Sequence, residues 1–187
     1  QRAVDELGVE VVYVETLAGD DAAAKINEAL TQGVDGVITV GADLAQGTRS
    51  ASQANPDIPF VSIDFPSQTA TDLGVVFSVD EPAFMAGYLA GGMTESGTVC
   101  TYGGRDLTPV LSFMVGFENG VNYYNQKNGA NVTVLGWRTD PDMPIGGEGL
   151  FIDAFNDPDA GRQAAEQLFD QGCDIIFPVA GGSAVGA

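Results

Sequence analysis

Short apolar runs rich in Val and Ile recur along the chain, separated by stretches whose apolar residues return every three or four positions. The runs are Val9–Val14, Gly36–Val40, Phe60–Ile63, Val75–Val79, Thr98–Tyr102, Val132–Trp137 and Asp174–Val179. Runs of this kind predict strands buried on both faces. The intervening helical patterns cover Asp21–Gln32, Leu44–Gln53, Pro82–Met93, Thr108–Gln126 and Pro158–Gln171. In the first of these, Ala22, Ile26, Ala29 and Leu30 share one stripe and Gly33 stops the helix. In the last, Asp157 is placed to cap, Pro158 suits the first helical position, and Gly161, Ala164, Ala165 and Leu168 face the sheet. Strand alternating with helix predicts an α/β fold with parallel sheets and right-handed crossovers.

The alternation breaks near residue 78. Phe60–Ile63 and Val75–Val79 follow one another with only "DFPSQTATDLG" between them, as when a chain leaves one lobe for another. Residues 1–78 are therefore expected to form an N-terminal lobe and 79–187 a second α/β lobe. The stretch "RTDPDMPIGGEG" (138–149) predicts a long irregular surface loop. "QRAVDELGVEVV" reads as the end of a helix running into a strand, and "AGGSAVGA" stops just after a strand. Both lobes are thus expected to be partial, the first lacking its first strand and the second its C-terminal part, with any targeting segment outside this sequence.

Composition narrows the function classes. The 187 residues are 44% hydrophobic and 18% charged, a globular rather than a disordered balance. Twenty-six acids against seven bases give a net charge of −19, spread over both halves. Such a field repels nucleic acid and anionic membrane surfaces. No apolar run approaches the length of a membrane span. Histidine is absent, which removes the commonest general base and metal ligand. Cys100 and Cys173 form an even pair that either bridges in an oxidising compartment or stays as two buried thiols. There is no G-x-G-x-x-G after a strand, no phosphate-binding G-x-x-x-x-G-K-[ST], no nucleophile elbow and no zinc spacing. No cofactor or metal is expected, and a doubly wound enzyme is the minority reading.

In open parallel sheets, ligands bind at the carboxyl ends of the strands. Those ends carry Asp43 in "VGAD", Asp64 in "SIDF", Arg105 in "YGGRD", and Gly181, Gly182 and Ser183 in "VAGGSA". The loop after "VTVLGW" eventually delivers Phe155 in "AFNDPDAGR". Glycines let a ligand approach the backbone, carboxylates accept from hydroxyl or amine groups, and an aromatic offers a stacking face. The set suits a neutral, hydroxyl-bearing planar molecule. Each residue also has a plainer reading: the glycines as tight turns, Asp43 as the cap of a helix starting at Leu44, Arg105 as the partner of Asp106 or another acid. Phe155 could equally be a hydrophobic staple for the helix that follows. Asp64 has no helix after it to cap.

Four segments occur in order: "PDIPFVSID" (56–64), "FSVDEPAFMAGYLAGGM" (77–93), "TYGG" with "PVLSFMVGFENGV" (101–121), and "FIDAFNDPDAGRQAAEQLFDQGCDIIFPVAGGSAVGA" (151–187). Together they resemble the BMP family of ABC-transporter substrate-binding proteins, typified by PnrA-like purine nucleoside receptors. The resemblance implies a type I periplasmic-binding-protein fold, with two doubly wound lobes closing on a ligand in the cleft between them. It implies an extracytoplasmic solute-binding subunit, lipid-anchored through a preceding segment, that hands a nucleoside to an ABC permease of the inner membrane. A sensory or regulatory ligand-binding module of the same fold is the alternative. By motif, Phe155 matches the aromatic that stacks on the base, Asp64 the acid ending the "ID" strand, and Gly181 the glycine of the "AGG" loop. The implied oxidising location also predicts that Cys100 and Cys173 lie on neighbouring strands, close enough to bridge. The sequence departs from the family in lacking its N-terminal ligand motif and last strands, in a longer 138–149 loop, and in Ser183, where a small residue or glycine is usual.

Overall fold

In a computed structural model describing residues 2–16, 20–143 and 145–187, contacts divide the chain into two units, Gln1–Phe77 and Ser78–Ala187. The first contains helix α1 (Arg2–Leu7), helix α2 (Ala22–Leu30), strand β1 (Val37–Val40), a 3-10 turn (Ala42–Leu44), helix α3 (Ala45–Ala54), strand β2 (Phe60–Ile63) and strand β3 (Asp72–Val75). The strands form one parallel sheet in the order β1-β2-β3. Asp21 starts α2 by accepting from the Ala23 and Ala24 backbone N–H groups, which would otherwise lack partners. Ile26, Val37, Ala51 and Phe60 bury together, joining α2 and α3 to one face of the sheet. On the same face Thr48 donates to Thr39 at 2.9 Å, both side chains buried, so the polar pair costs no unsatisfied group.

Three expectations for this unit need correction. No strand forms at Val9–Val14: residues 8–16 have no regular structure, and Val11 and Tyr13 are 63% and 83% exposed. An apolar run supplies β propensity, but a strand also needs a neighbour to pair with, and among the described residues none pairs here. The strand expected at Val75–Val79 is instead Asp72–Val75, in register with Phe60–Ile63. Its leading aspartate stays buried because its carboxylate accepts from Ser62 Oγ at 2.8 Å and Gln68 N at 2.9 Å. Finally, the sheet is not buried on both faces, since Ile38 and Val40 point away from α2 and α3 and are 71% and 63% exposed.

The second unit contains helix α4 (Asp80–Met93), strand β4 (Thr98–Gly103), helix α5 (Thr108–Asn128), strands β5 (Thr133–Leu135), β6 (Trp137–Thr139) and β7 (Gly147–Gly149), helix α6 (Pro158–Asp170), strand β8 (Ile175–Val179) and a 3-10 helix (Gly181–Gly186). Its parallel sheet runs β5-β4-β8. Strand β4 is central, and its side chains alternate between two helical layers. Val99 packs with Ala90, Phe117 and Val121 of α4 and α5. Cys100 and Tyr102 pack with Ala164 and Leu168 of α6 on the other face. Helices α4 and α5 approach so closely that a Cβ on Gly87 would strike the Phe117 carbonyl, and one on Gly120 the Phe84 carbonyl.

The expected strand Val132–Trp137 divides at Gly136, whose φ of 80° turns the chain out of the sheet. The 138–149 segment is not wholly irregular, because β6 and β7 form an antiparallel hairpin pairing Trp137 with Gly149 and Thr139 with Gly147. A turn-rich composition hid it, since two of the three β7 residues are glycines with no apolar pattern to read.

Cys100 and Cys173 form a disulfide with Cα atoms 5.9 Å apart, as their neighbouring positions beside the β4–β8 ladder allow. Next to it, Asp174 ties the start of β8 to the loop before β4. Its carboxylate accepts from Thr94 Oγ1 at 2.6 Å and from the backbone N–H groups of Glu95 and Ser96 at 2.6 and 2.8 Å. The Thr94 hydroxyl first, and the Ser96 N–H next, hold its pKa down to about 2.

Two outcomes are expected. The bridge closes a span of 73 residues, so the C100A/C173A variant should melt on the order of 10 °C below wild type; equal melting temperatures would show the bridge to be energetically idle. Because Asp174 titrates lower in the folded state than in the unfolded chain, its contribution is present above about pH 4 and is lost as pH falls toward 2. The D174N variant should therefore lose less stability than wild type between pH 4 and pH 2 in denaturant melts, whereas parallel acid limbs would contradict this role.

Candidate ligand-binding site

The second unit gathers three segments at the carboxyl ends of β4 and β8. After β4 come Gly104 and Arg105, and after β8 come Ala180 to Ser183. The third segment, 150–157, runs beside the end of β4: Gly103 N donates to the Leu150 carbonyl, Ile152 N to the Gly103 carbonyl and Ala154 N to the Gly104 carbonyl. Gly104 N in turn donates to Val179 at 2.8 Å, which locks the end of β4 to β8.

Two aromatic rings lie on the glycine pair. A Cβ on Gly103 would come 2.6 Å from the Phe151 ring, and a Cβ on Gly104 would strike the Phe155 ring. The glycines are thus needed for ring placement rather than for a positive φ. Phe155 is half-buried, its inner side packed against the cluster of Val110, Met114, Val115 and Trp137. The Arg105 guanidinium carbon lies 5.8 Å from its ring centroid, within cation–π range. Arg105 Nε also donates to the Asp153 carbonyl at 3.3 Å.

The staple reading of Phe155 fails on position. Asp157 is the N-cap of α6, accepting from Ala160 N at 3.0 Å. The staple positions would then be Asn156 and the fourth helical residue, Gly161, which has no side chain to clasp. Phe155 lies one residue too early for that clasp.

Ser183, which departs from the expected pattern, holds the Phe155 loop in place. It is fully buried; its N–H donates to the Phe155 carbonyl at 3.0 Å, and its hydroxyl accepts from Asp157 N at 2.8 Å. Gly181, at φ 53°, and Gly182 press on the same loop, with Cβ positions 3.3 and 3.2 Å from the Phe155 carbonyl oxygen. Both are exposed. The structure brings Phe155, Gly181, Gly182 and Ser183, all singled out from the sequence, to one strand end, together with Phe151, which was not, and it gives Ser183 a bracing role that the sequence did not show. The available signal was the Gly103–Gly104 doublet, which leaves room for two large groups.

In the first unit, Asp43 and Asp64 follow the neighbouring parallel strands β1 and β2, paired as Val40 with Ile63. Asp43 is exposed in the 3-10 turn and does not act as the cap of α3, whose N-cap position is Leu44 with no side-chain cap. Asp64 is half-buried and takes φ 76°, a left-handed conformation that costs a non-glycine residue on the order of 1 kcal/mol. Its N–H donates to the Val75 carbonyl at 2.9 Å, so the neighbouring strand holds the turn.

Among the described residues, no group of three or more His, Cys, Asp or Glu could hold a metal ion. A separate concavity of about 590 Å³ lies between α4 and α5, lined by Asp80, Phe84, Ser112 and Asn119 among others. It sits on helix flanks, contains none of the strand-end residues, and lacks the convergent backbone and aromatic groups found beside β4.

A family model described as Bmp, ABC transporter substrate-binding protein PnrA-like, matches residues 1–144. The match includes Asp43 and Asp64 but stops short of Phe155, Gly181 and Gly182. An uncharacterized lipoprotein of Pyrococcus abyssi is 27% identical over 192 residues, covering 100% of this chain and 44% of that protein. Among solved structures, a solute-binding protein of an ABC transporter system from Aeropyrum pernix superposes with a TM-score of 0.80 at 26% identity, covering 99% of this chain and 50% of that one. A transcriptional activator of the comK gene from Bacillus halodurans gives a TM-score of 0.68 at 20% identity, covering 99% and 58%, a likeness of fold alone. The chain spans about half the length of these proteins. The likenesses agree with the two parallel α/β sheets and identify the architecture as the type I periplasmic-binding kind.

The brace makes a prediction about stability. Replacing Ser183 with alanine leaves the Asp157 N–H without its acceptor and should cost about 1–2 kcal/mol in chemical denaturation. An unchanged midpoint would mean that the Phe155 loop holds its shape without the serine.

Proposed function

The chain belongs to the Bmp family of PnrA-like ABC-transporter substrate-binding proteins, and from that premise we propose that it binds a purine nucleoside for uptake. The observation that carries the ligand class is Phe155. An aromatic ring stands at the carboxyl ends of two parallel strands, laid on a glycine, its loop braced by a buried serine, and one residue away from the position at which it could staple the adjoining helix. A base stacks on such a face with about 0.5–1.5 kcal/mol beyond its buried area. Asp64 and Asp43 are the carboxylates that accept hydrogen bonds from sugar hydroxyls or ring N–H groups, each bond to a charged acceptor contributing roughly 1.5–3 kcal/mol. Gly181 and Gly182, having no side chains, let the ligand come close to the backbone.

On this reading the protein binds and releases without chemical turnover, and its partner is the permease of an ABC importer. The lipoprotein name of the Pyrococcus relative supports an extracytoplasmic location with a lipid anchor. The buried disulfide fits an oxidising compartment of that kind.

Calorimetric titration of the intact protein with inosine, guanosine, adenosine and uridine tests the proposal. Purine nucleosides should bind saturably. Replacing Phe155 with alanine should weaken them by roughly tenfold, and D64N, which keeps a side chain tolerant of left-handed backbone, by tenfold or more. Absence of heat with every nucleoside, or an F155A variant that melts lower yet binds as wild type, would refute the nucleoside assignment.

A further inference from the structure

A helix that is apolar on every side belongs in an interior. Helix α4 is of that kind from Pro82 to Met93, a stretch without a charged residue. One side is used, with Ala83, Gly87, Ala90 and Gly91 buried. On the other side Met85, Leu89 and Met93 are spaced by four and form a single ridge. They are 66%, 60% and 62% exposed. Tyr88 and Tyr123, both exposed and with ring centroids 5.9 Å apart, widen the ridge toward α5. At the amino end of α4 the ridge runs into the recess of about 590 Å³ between α4 and α5, to which Met85, Phe84 and Val115 bring apolar walls and Asp80 and Glu81 two carboxylates. Both acids are exposed and unpaired among the described residues.

We propose that ridge and recess together dock a protein segment presenting an apolar helical face with lysine or arginine at one end. Charge selects this occupant. No basic residue occurs between Arg49 and Arg105. The one base of α5, Lys127, lies 5.1 Å over the Tyr123 ring, toward the end of α4 away from Asp80. A basic end therefore pairs with Asp80 and Glu81, while the apolar face lies along Met85, Leu89 and Met93, where flexible methionines repack around a partner. A second copy of this chain fits worse, because it brings another net charge of −19. The same field repels an anionic membrane. The permease of the importer proposed above is the owner of such a segment, and only that ownership rests on the importer reading.

The test uses the intact protein and a synthetic helical peptide with leucines along one face and lysines at one end. Its controls are the same residues scrambled, and a version with glutamates in place of the lysines. Dilute hydrogen peroxide followed by mass spectrometry reads methionine oxidation, with the fully buried Met114 as internal standard. Without peptide, Met85 and Met93 should oxidise readily and Met114 should not. The basic amphipathic peptide should slow Met85 and Met93 several-fold, and neither control should. L89E should abolish the protection, and D80N/E81Q should raise the peptide concentration it needs by roughly tenfold, with thermal melts confirming that both variants fold. No protection by the basic peptide, equal protection by either control, or undiminished protection in L89E or D80N/E81Q overturns the proposal. So does resistance of Met85 and Met93 to peroxide in the dilute protein alone, which would show the ridge covered by the protein's own chain or by a second copy. Nucleoside titration of L89E should match wild type, so a failed docking surface and a failed nucleoside assignment are read separately.

Discussion

Two glycines at the end of β4 leave room for two aromatic rings, and the candidate site is built outward from that space. Gly103 takes Phe151 and Gly104 takes Phe155, while the backbone of the same residues bonds to the 150–154 segment and to β8. A methyl group at Gly104 would collide with the Phe155 ring, so the ring could stay only if the strand end or the loop moved. The brace from Ser183 and the contacts of Gly181 and Gly182 presuppose the ring's position. Arg105 over that ring presupposes it too.

The two ends of β4 and β8 carry different burdens. Toward the amino ends, the Cys100–Cys173 bridge and the Asp174 carboxylate tie strand to strand and strand to loop. At the carboxyl ends, side chains are small or absent, backbone groups lie close together, and both rings, Phe151 and Phe155, remain only half-buried. Rigidity at one end lets the other present its groups without collapsing around them. The first unit repeats the pattern more sparely, with Asp64 held in a left-handed turn by the backbone of β3.

Much of the framework was legible because apolar periodicity reports burial directly. Phe60–Ile63 was read to the residue, and α2 to α6 emerged within a few residues of their ends. Failures occurred where structure depends on a partner rather than on a pattern. Val9–Val14 has a strand's composition but no pairing neighbour among the described residues, and β7 has pairing but almost no side chains to announce it. The exposed Ile38 and Val40 show the same limit, since a hydrophobic run does not say how many faces of a sheet are covered.

The site divides along the same line. Phe155 and Asp64 could be singled out because one is a large aromatic in the short loop before a helix and the other a carboxylate at a strand end with no helix after it to cap. The roles of Ser183 and Phe151 were not legible, since they exist only once distant segments meet. The central claim is that Phe155 is a stacking surface, and a crystal structure of the intact protein with inosine bound tests it most directly. The account predicts a base parallel to the Phe155 ring at a spacing of about 3.5–4.0 Å. A nucleoside bound elsewhere, with the Phe155 ring untouched, would contradict it.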